Sequence, residues 1–286
     1  MRSARPWFSV AVICLLGLRL SAIGGEEKVC TIREPFGLAW GPDRVSYPVE
    51  FPEGQVTPGP VAVTNAGGTP QLAQLSDVTH WPDGKSVRKA TLSFMATLKP
   101  NEVGQWTYKR DIEWSKPPTT DLLVRERDGV IELSTRAFGI RLTGGAKTFP
   151  APVAAGQVPG PIQAVRLSDG AWIGRGWWQS DRPCLGYKAT IAEKGPVFAR
   201  VNLQYDFADG AAYKATIELS AGQDVAVIRE EFDLSKGKRY EMPELGGVRP
   251  GDTFQYVLPQ FASPKAALMW DWWCQTHGKV PSPNAY

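Results

Sequence analysis

Ala90-Thr91-Leu92-Ser93-Phe94-Met95-Ala96-Thr97-Leu98 sets Ala90, Leu92, Phe94, Ala96 and Leu98 against Thr91, Ser93, Met95 and Thr97, a period of two. Successive side chains of a strand point to opposite faces of its sheet, so this stretch reads as a half-buried β-strand. Its partner precedes it. Leu72 to Val78 runs into Pro82-Asp83-Gly84, where Pro82 presets φ, Asp83 bonds nearby backbone N–H groups and Gly84 accepts positive φ. Trp81, just before this turn, is expected to plug the core. Trp106, Tyr108, Ile112 and Trp114 continue the pattern, with Arg110 interrupting one face, and together these runs make a β-meander.

Ser115-Lys116-Pro117-Pro118-Thr119-Thr120 ends the periodicity, because two prolines remove ladder donors and fix φ. A domain boundary is placed here, dividing a β-barrel at 29–116 from a β-sandwich at 121–286. In the second part Leu122 to Arg127 and Val130 to Ser134 flank Asp128-Gly129, the dipeptide of a type I′ hairpin. Val197 to Phe207, Tyr213 to Leu219 and Val225 to Leu234 alternate in the same way around Asp209-Gly210 and Ala221-Gly222, and form a three-stranded antiparallel sheet. Pro150 to Pro161 reads as an exposed loop, and only Pro264 to Trp273 is open to a short helix. The fold class is therefore all-β: a small N-terminal β-barrel followed by a partial β-sandwich.

The first residues read as an address. Arg2 and Arg5 precede an apolar run from Trp7 to Leu18, too short to span a bilayer, and Ala22 and Gly24 supply small residues for cleavage. Residues 1–24 are assigned as a signal peptide, and the chain as secreted or periplasmic, with no membrane anchor left after cleavage. Losing Arg2, Arg5 and Arg19 takes the formal net charge from +3 to zero. That removes the electrostatic footprint a nucleic-acid partner requires. Cys30, Cys184 and Cys274 remain, enough for one disulfide at most, and with only two histidines no zinc site is expected. No cofactor is expected. G-x-S-x-G, phosphate-loop and H-E-x-x-H patterns are absent.

A family resemblance rests on Glu34-Pro-Phe-Gly, Tyr47-Pro-Val-Glu-Phe-Pro-Glu-Gly, Gln71-Leu-Ala-Gln-Leu and above all His80-Trp81-Pro82-Asp83-Gly84 with the strand Val87 to Leu98. These resemble the amino-terminal barrel of the YetA-like and fungal rhamnogalacturonan exolyase-like proteins. The stretches Asp121 to Leu142 and Val197 to Leu234 are similar to parts of that family's central sandwich. Lys85 before Ser86, and Lys89 in place of an aromatic, depart from its pattern. The resemblance implies a RIFT-type barrel, a β-sandwich and pectic polysaccharide as ligand. It also implies an α/α toroid that the chain, ending at Tyr286, does not supply, so the expectation is a protein not catalytic on its own, with a missing helical domain as partner. No catalytic residue is carried over.

A polyuronide lyase needs a cation to neutralise the uronate carboxylate and a base to remove the adjacent proton. Arg182, Tyr187 and His277 supply those residue types, although Arg and Tyr in a loop also serve as plain surface residues. Trp172, Trp177 and Trp178 cluster around Gly174 and Gly176, and Trp270, Trp272 and Trp273 crowd the other end. Indole faces suit sugar rings, and they equally suit a core. The candidate substrate-binding set is Trp177, Trp178, Arg182, Tyr187 and His277, while Trp81, Pro82, Asp83 and Gly84 form a structural motif. Glu230 and Glu231 are adjacent on a strand, so they point to opposite faces and cannot act as a glycosidase pair. A non-catalytic glycan-binding or structural β-module, or a truncated gene remnant, are the alternatives.

Overall fold

The computed structural model describes residues 29–232 apart from 60, 110–118, 168, 175 and 179–181. Residues 1–24, read above as a signal peptide, Ile112, Trp114, Pro117 and Pro118 of the expected domain boundary, Cys274, His277, the tryptophans at 270–273 and the segment open to a short helix lie outside the described residues.

Strands β1 (Val29–Arg33), β2 (Trp40–Glu50), β3 (Val61–Asn65), β4 (Pro70–His80), β5 (Val87–Leu98) and β6 (Val103–Lys109) form one antiparallel sheet in the order β1-β6-β3-β4-β5-β2. It curls into a nearly closed, barrel-like body. The alternation of β5 sets the inside: Ala90, Leu92, Phe94, Ala96 and Leu98 are all buried and share a core with Val63, Trp106 and Tyr108. Phe94 and Trp106 pack with ring centres 5.4 Å apart. Gly104 makes room, because a Cβ there would lie 2.4 Å from the Trp106 ring.

The β4–β5 turn is held by Asp83. One carboxylate oxygen accepts from the N–H groups of Lys85 (2.8 Å) and Ser86 (2.9 Å), and the other accepts from the Ser86 hydroxyl at 2.6 Å. The Ser86 and Lys85 hydrogen bonds hold the Asp83 carboxyl below its ordinary range, and Gly84 takes φ +64°. Trp81 does not plug the barrel. It stands half-buried outside the core, its indole N–H donating to the Phe51 carbonyl at 3.0 Å while the Arg88 guanidinium lies over its ring. The buried tryptophan of this core is Trp106, on β6, whereas Trp81 follows the end of β4 in the turn to β5.

Ten further strands make two sheets that face each other. One runs β12-β11-β9-β8-β7, built from β7 (Leu123–Arg127), β8 (Val130–Ser134), β9 (Gly139–Thr143), β11 (Ile162–Arg166) and β12 (Trp172–Ile173). The other runs β10-β13-β14-β15-β16, from β10 (Ala146–Ala154), β13 (Pro183–Lys194), β14 (Phe198–Phe207), β15 (Ala212–Ser220) and β16 (Ala226–Phe232). Ile131, Leu133, Ile140 and Leu142 of the first sheet share a core with Val201, Leu203, Tyr205, Ile217 and Leu219 of the second, the arrangement of a sandwich. Asp128 and Gly129 take φ of 52° and 74°, as a two-residue I′ turn requires.

The segment expected to be an exposed loop, Pro150 to Pro161, is different. It begins inside β10, and Ala155 and Val158 are buried in the sandwich core. Pro150 and Pro152 are tolerated because β10 is an edge strand, where a missing N–H costs no ladder bond. Cys30 lies in the barrel core and Cys184 in the sandwich core, so these two form no disulfide.

Candidate functional site

The tryptophan cluster is organised by two glycines. The chain at 158–162 and the chain at 174–178 approach so closely that a Cβ on Gly176 would lie 1.5 Å from the Ile162 carbonyl oxygen, and one on Gly160 would lie 2.6 Å from the Gly176 carbonyl carbon. Pro159 and Trp177 pair there as an isolated antiparallel bridge. Extended backbone turns consecutive side chains to opposite sides, so the two indoles part company. Trp178 enters the sandwich core at 3% exposure, while Trp177 faces outward at 40%.

Trp178 meets Tyr205, Phe207 and Tyr213 edge-on, with ring centres 5.1, 5.9 and 5.1 Å away. Tyr187 pairs across the strands with Tyr205, 5.6 Å between ring centres, and packs on its other side against Phe149. The Tyr205 hydroxyl donates to the Pro159 carbonyl at 2.8 Å and ties this aromatic wall to the bridge that carries Trp177.

Arg182 is buried at 2% exposure. Its Nε donates to Asp209 Oδ2 at 2.7 Å, its Nη2 lies 2.5 Å from the same oxygen, and its guanidinium stacks over Phe207. The structure thus gathers Trp178, Arg182 and Tyr187 around Tyr205 and Phe207, with Arg182 and Trp178 as parts of a packed wall and not as groups offered to a ligand. His277 is outside the described residues. Burial pushes the Cys184 thiol above its ordinary range, away from the lowered values of reactive cysteines. Among the described residues no group of three or more His, Cys, Asp and Glu converges to hold a metal ion.

Trp172, on the edge strand β12 of the other sheet, is half-buried. Arg141 stacks 4.0 Å from its ring centre and Arg166 lies 5.9 Å away, over Gly139, where a Cβ would meet the ring at 2.9 Å. Both guanidinium groups are also spoken for: Arg141 donates to Glu132 at 3.0 Å, and Arg166 to the carbonyls of Thr135 and Phe138. Trp177 remains as the candidate residue with an accessible indole, on backbone bridged to Pro159.

Sequence reasoning missed a polar cluster where the barrel-like body meets the sandwich: Arg44, Gln74 and Asp77 on one side, Arg200 and Glu218 on the other. In the sequence Arg44, Gln74, Arg200 and Glu218 occupy the outward phase of their strands, the phase that ordinarily faces water, while Asp77 falls in the phase of Ala73 and Leu75 and is turned outward at the register shift in β4, so no local pattern marks the cluster as covered. No family model matches the chain, and no curated protein matches it.

Proposed function

We propose that this is an exported, carbohydrate-associated β-protein that holds a pectic polysaccharide without cleaving it, with Trp177 as the contact. Its carrying observation is the division of the tryptophan pair, one indole anchored in the core and its neighbour exposed on the Pro159–Trp177 bridge. A flat indole fixed in this way can stack on a sugar ring at little entropic cost. The amino-terminal signal pattern and the resemblance of the barrel motifs to rhamnogalacturonan exolyase-like proteins support the same reading. The internal engagement of Arg182 supports binding over lyase chemistry, since that guanidinium already neutralises Asp209.

Isothermal titration with rhamnogalacturonan oligosaccharides tests it. Binding by the wild-type protein is expected, weakened about three- to tenfold in Trp177→Ala, the range one aromatic contact provides. Absence of binding to any pectic glycan would remove the proposal. Steady release of ultraviolet-absorbing unsaturated products would replace it with an enzymatic one.

A further inference from the structure

The contact between the barrel-like body and the sandwich is more heavily built than a linker alone requires. Gln74 projects from the outer face of β4 and is 6% exposed. Its Oε1 accepts from the backbone N–H groups of Val197 (3.2 Å) and Phe198 (3.0 Å), at the β13–β14 turn of the sandwich. Gly195 in that turn gives the amide its space, because a Cβ there would lie 2.0 Å from the Gln74 side-chain carbon.

Beside it lies a second contact. Glu218 of β15, 3% exposed, takes Arg44 of the barrel on Oε2 and Arg200 of β14 on Oε1 at 2.7 Å, with Arg229 of β16 at 3.6 Å. Arg200 continues to Asp77 of β4 at 2.8 Å. Asp77 stands at a register shift in β4 with φ +51°, a left-handed conformation that is unfavourable for a non-glycine residue and persists where surroundings hold it. Here its N–H faces a Glu193 carboxylate oxygen at 3.3 Å across the seam. The Arg44 and Arg200 guanidiniums both lie over the Phe198 ring, at 4.2 and 5.3 Å from its centre. Gln223, in the β15–β16 turn, donates to the Pro42 carbonyl at a third point.

We infer that Gln74, Glu218 and the arginines on it form a clasp that fixes the barrel-like body against the sandwich, so that the two open and unfold together. Two separately cored bodies joined by a linker move independently by default. What opposes that here is desolvated polar contact: opening the seam leaves Gln74 and two backbone N–H groups to be rehydrated and separates a buried carboxylate from a guanidinium of the other body. This inference stands apart from glycan binding, which it does not need.

Calorimetry and amide hydrogen exchange on the full chain test it. The wild-type protein is expected to unfold in one transition whose calorimetric and van't Hoff enthalpies agree. Gly195→Ala, which displaces the Gln74 amide while touching neither core, is expected to split that transition and to raise exchange at Val197 and Phe198 by about tenfold or more. Glu218→Gln should broaden the transition in the same direction. Two separated transitions in the wild-type protein, or a single unchanged transition with unchanged exchange in Gly195→Ala, would overturn the clasp. Should Glu218→Gln fail to fold, exchange in Gly195→Ala still decides.

Discussion

Trp177 and Trp178 are neighbours in sequence with opposite physical fates, and the two substitutions should separate them. Trp178→Ala empties a site bounded by Tyr205, Phe207 and Tyr213, and large aromatic truncations in cores cost about 3–5 kcal/mol. Trp177→Ala removes an exposed ring and should stay within about 0.5 kcal/mol of wild type. Urea denaturation of both variants reads the contrast; equal losses would mean that Trp177 is packed as well. Glu218 carries a pH prediction. Burial pushes its carboxyl up, but hydrogen bonds and charge from Arg44 and then Arg200 outweigh that and leave it below the ordinary carboxylate range. Asp77, Glu193 and Arg229 are the other charged groups around this cluster. A carboxyl with a lowered folded-state pKa adds stability that is fully present above its unfolded value and is lost as pH falls through the folded one. Wild-type stability should therefore decline below the ordinary glutamate range, and Glu218→Gln should flatten that acid limb, as followed by thermal melts across pH.

Whole strands were easier to read than the side chains that leave them. The apolar phase of β5, the Asp128-Gly129 hairpin and the run β14–β15–β16 were legible because alternation and turn residues are local properties. Pro150 and Pro152 misled, since proline marks both a loop and an edge strand, and only the pairing of β10 with β13 tells which. Ser93 shows the same limit from the other side. It lies on the polar phase of β5 yet is 1% exposed, paired by register with Gln74 of β4 and bonded to Ser46 of β2 at 2.8 Å. What covers that face comes from distant sequence, beyond the reach of periodicity. At the candidate site the indoles were visible as residue types, but their division into core and surface depends on the approach of Gly160 to Gly176. Gly176→Ala tests this element directly. A Cβ meeting the Ile162 carbonyl oxygen at 1.5 Å forces the two segments apart, so Trp178 should lose its seat, with a destabilisation of about 1–3 kcal/mol or more and a collapsed near-ultraviolet dichroism signal. An unchanged aromatic spectrum would mean that the bridge does not position the indoles.

At the scale of the whole molecule the ion pairs among the described residues differ in how far solvent reaches them. Pairs such as Arg127 with Asp128 and Lys89 with Glu50 are solvent-exposed on both partners and contribute little. Glu218 is covered, and its arginines reach it from β2, β14 and β16, so the same chemistry has different consequences there. Salt distinguishes the two, because at about 1 M the screening length shrinks to about 3 Å in solvent, while Glu218, at 3% exposure, lies largely out of its reach. High sodium chloride should leave the single unfolding transition intact in the wild-type protein. In Gly195→Ala, where displacement of Gln74 lets water reach the neighbouring Glu218 cluster, the same salt should widen the gap between the two transitions. Calorimetry with and without added salt measures both. If salt alone divides the wild-type transition, the ion cluster is solvated in solution, and Gln74 does not hold the two bodies together without it.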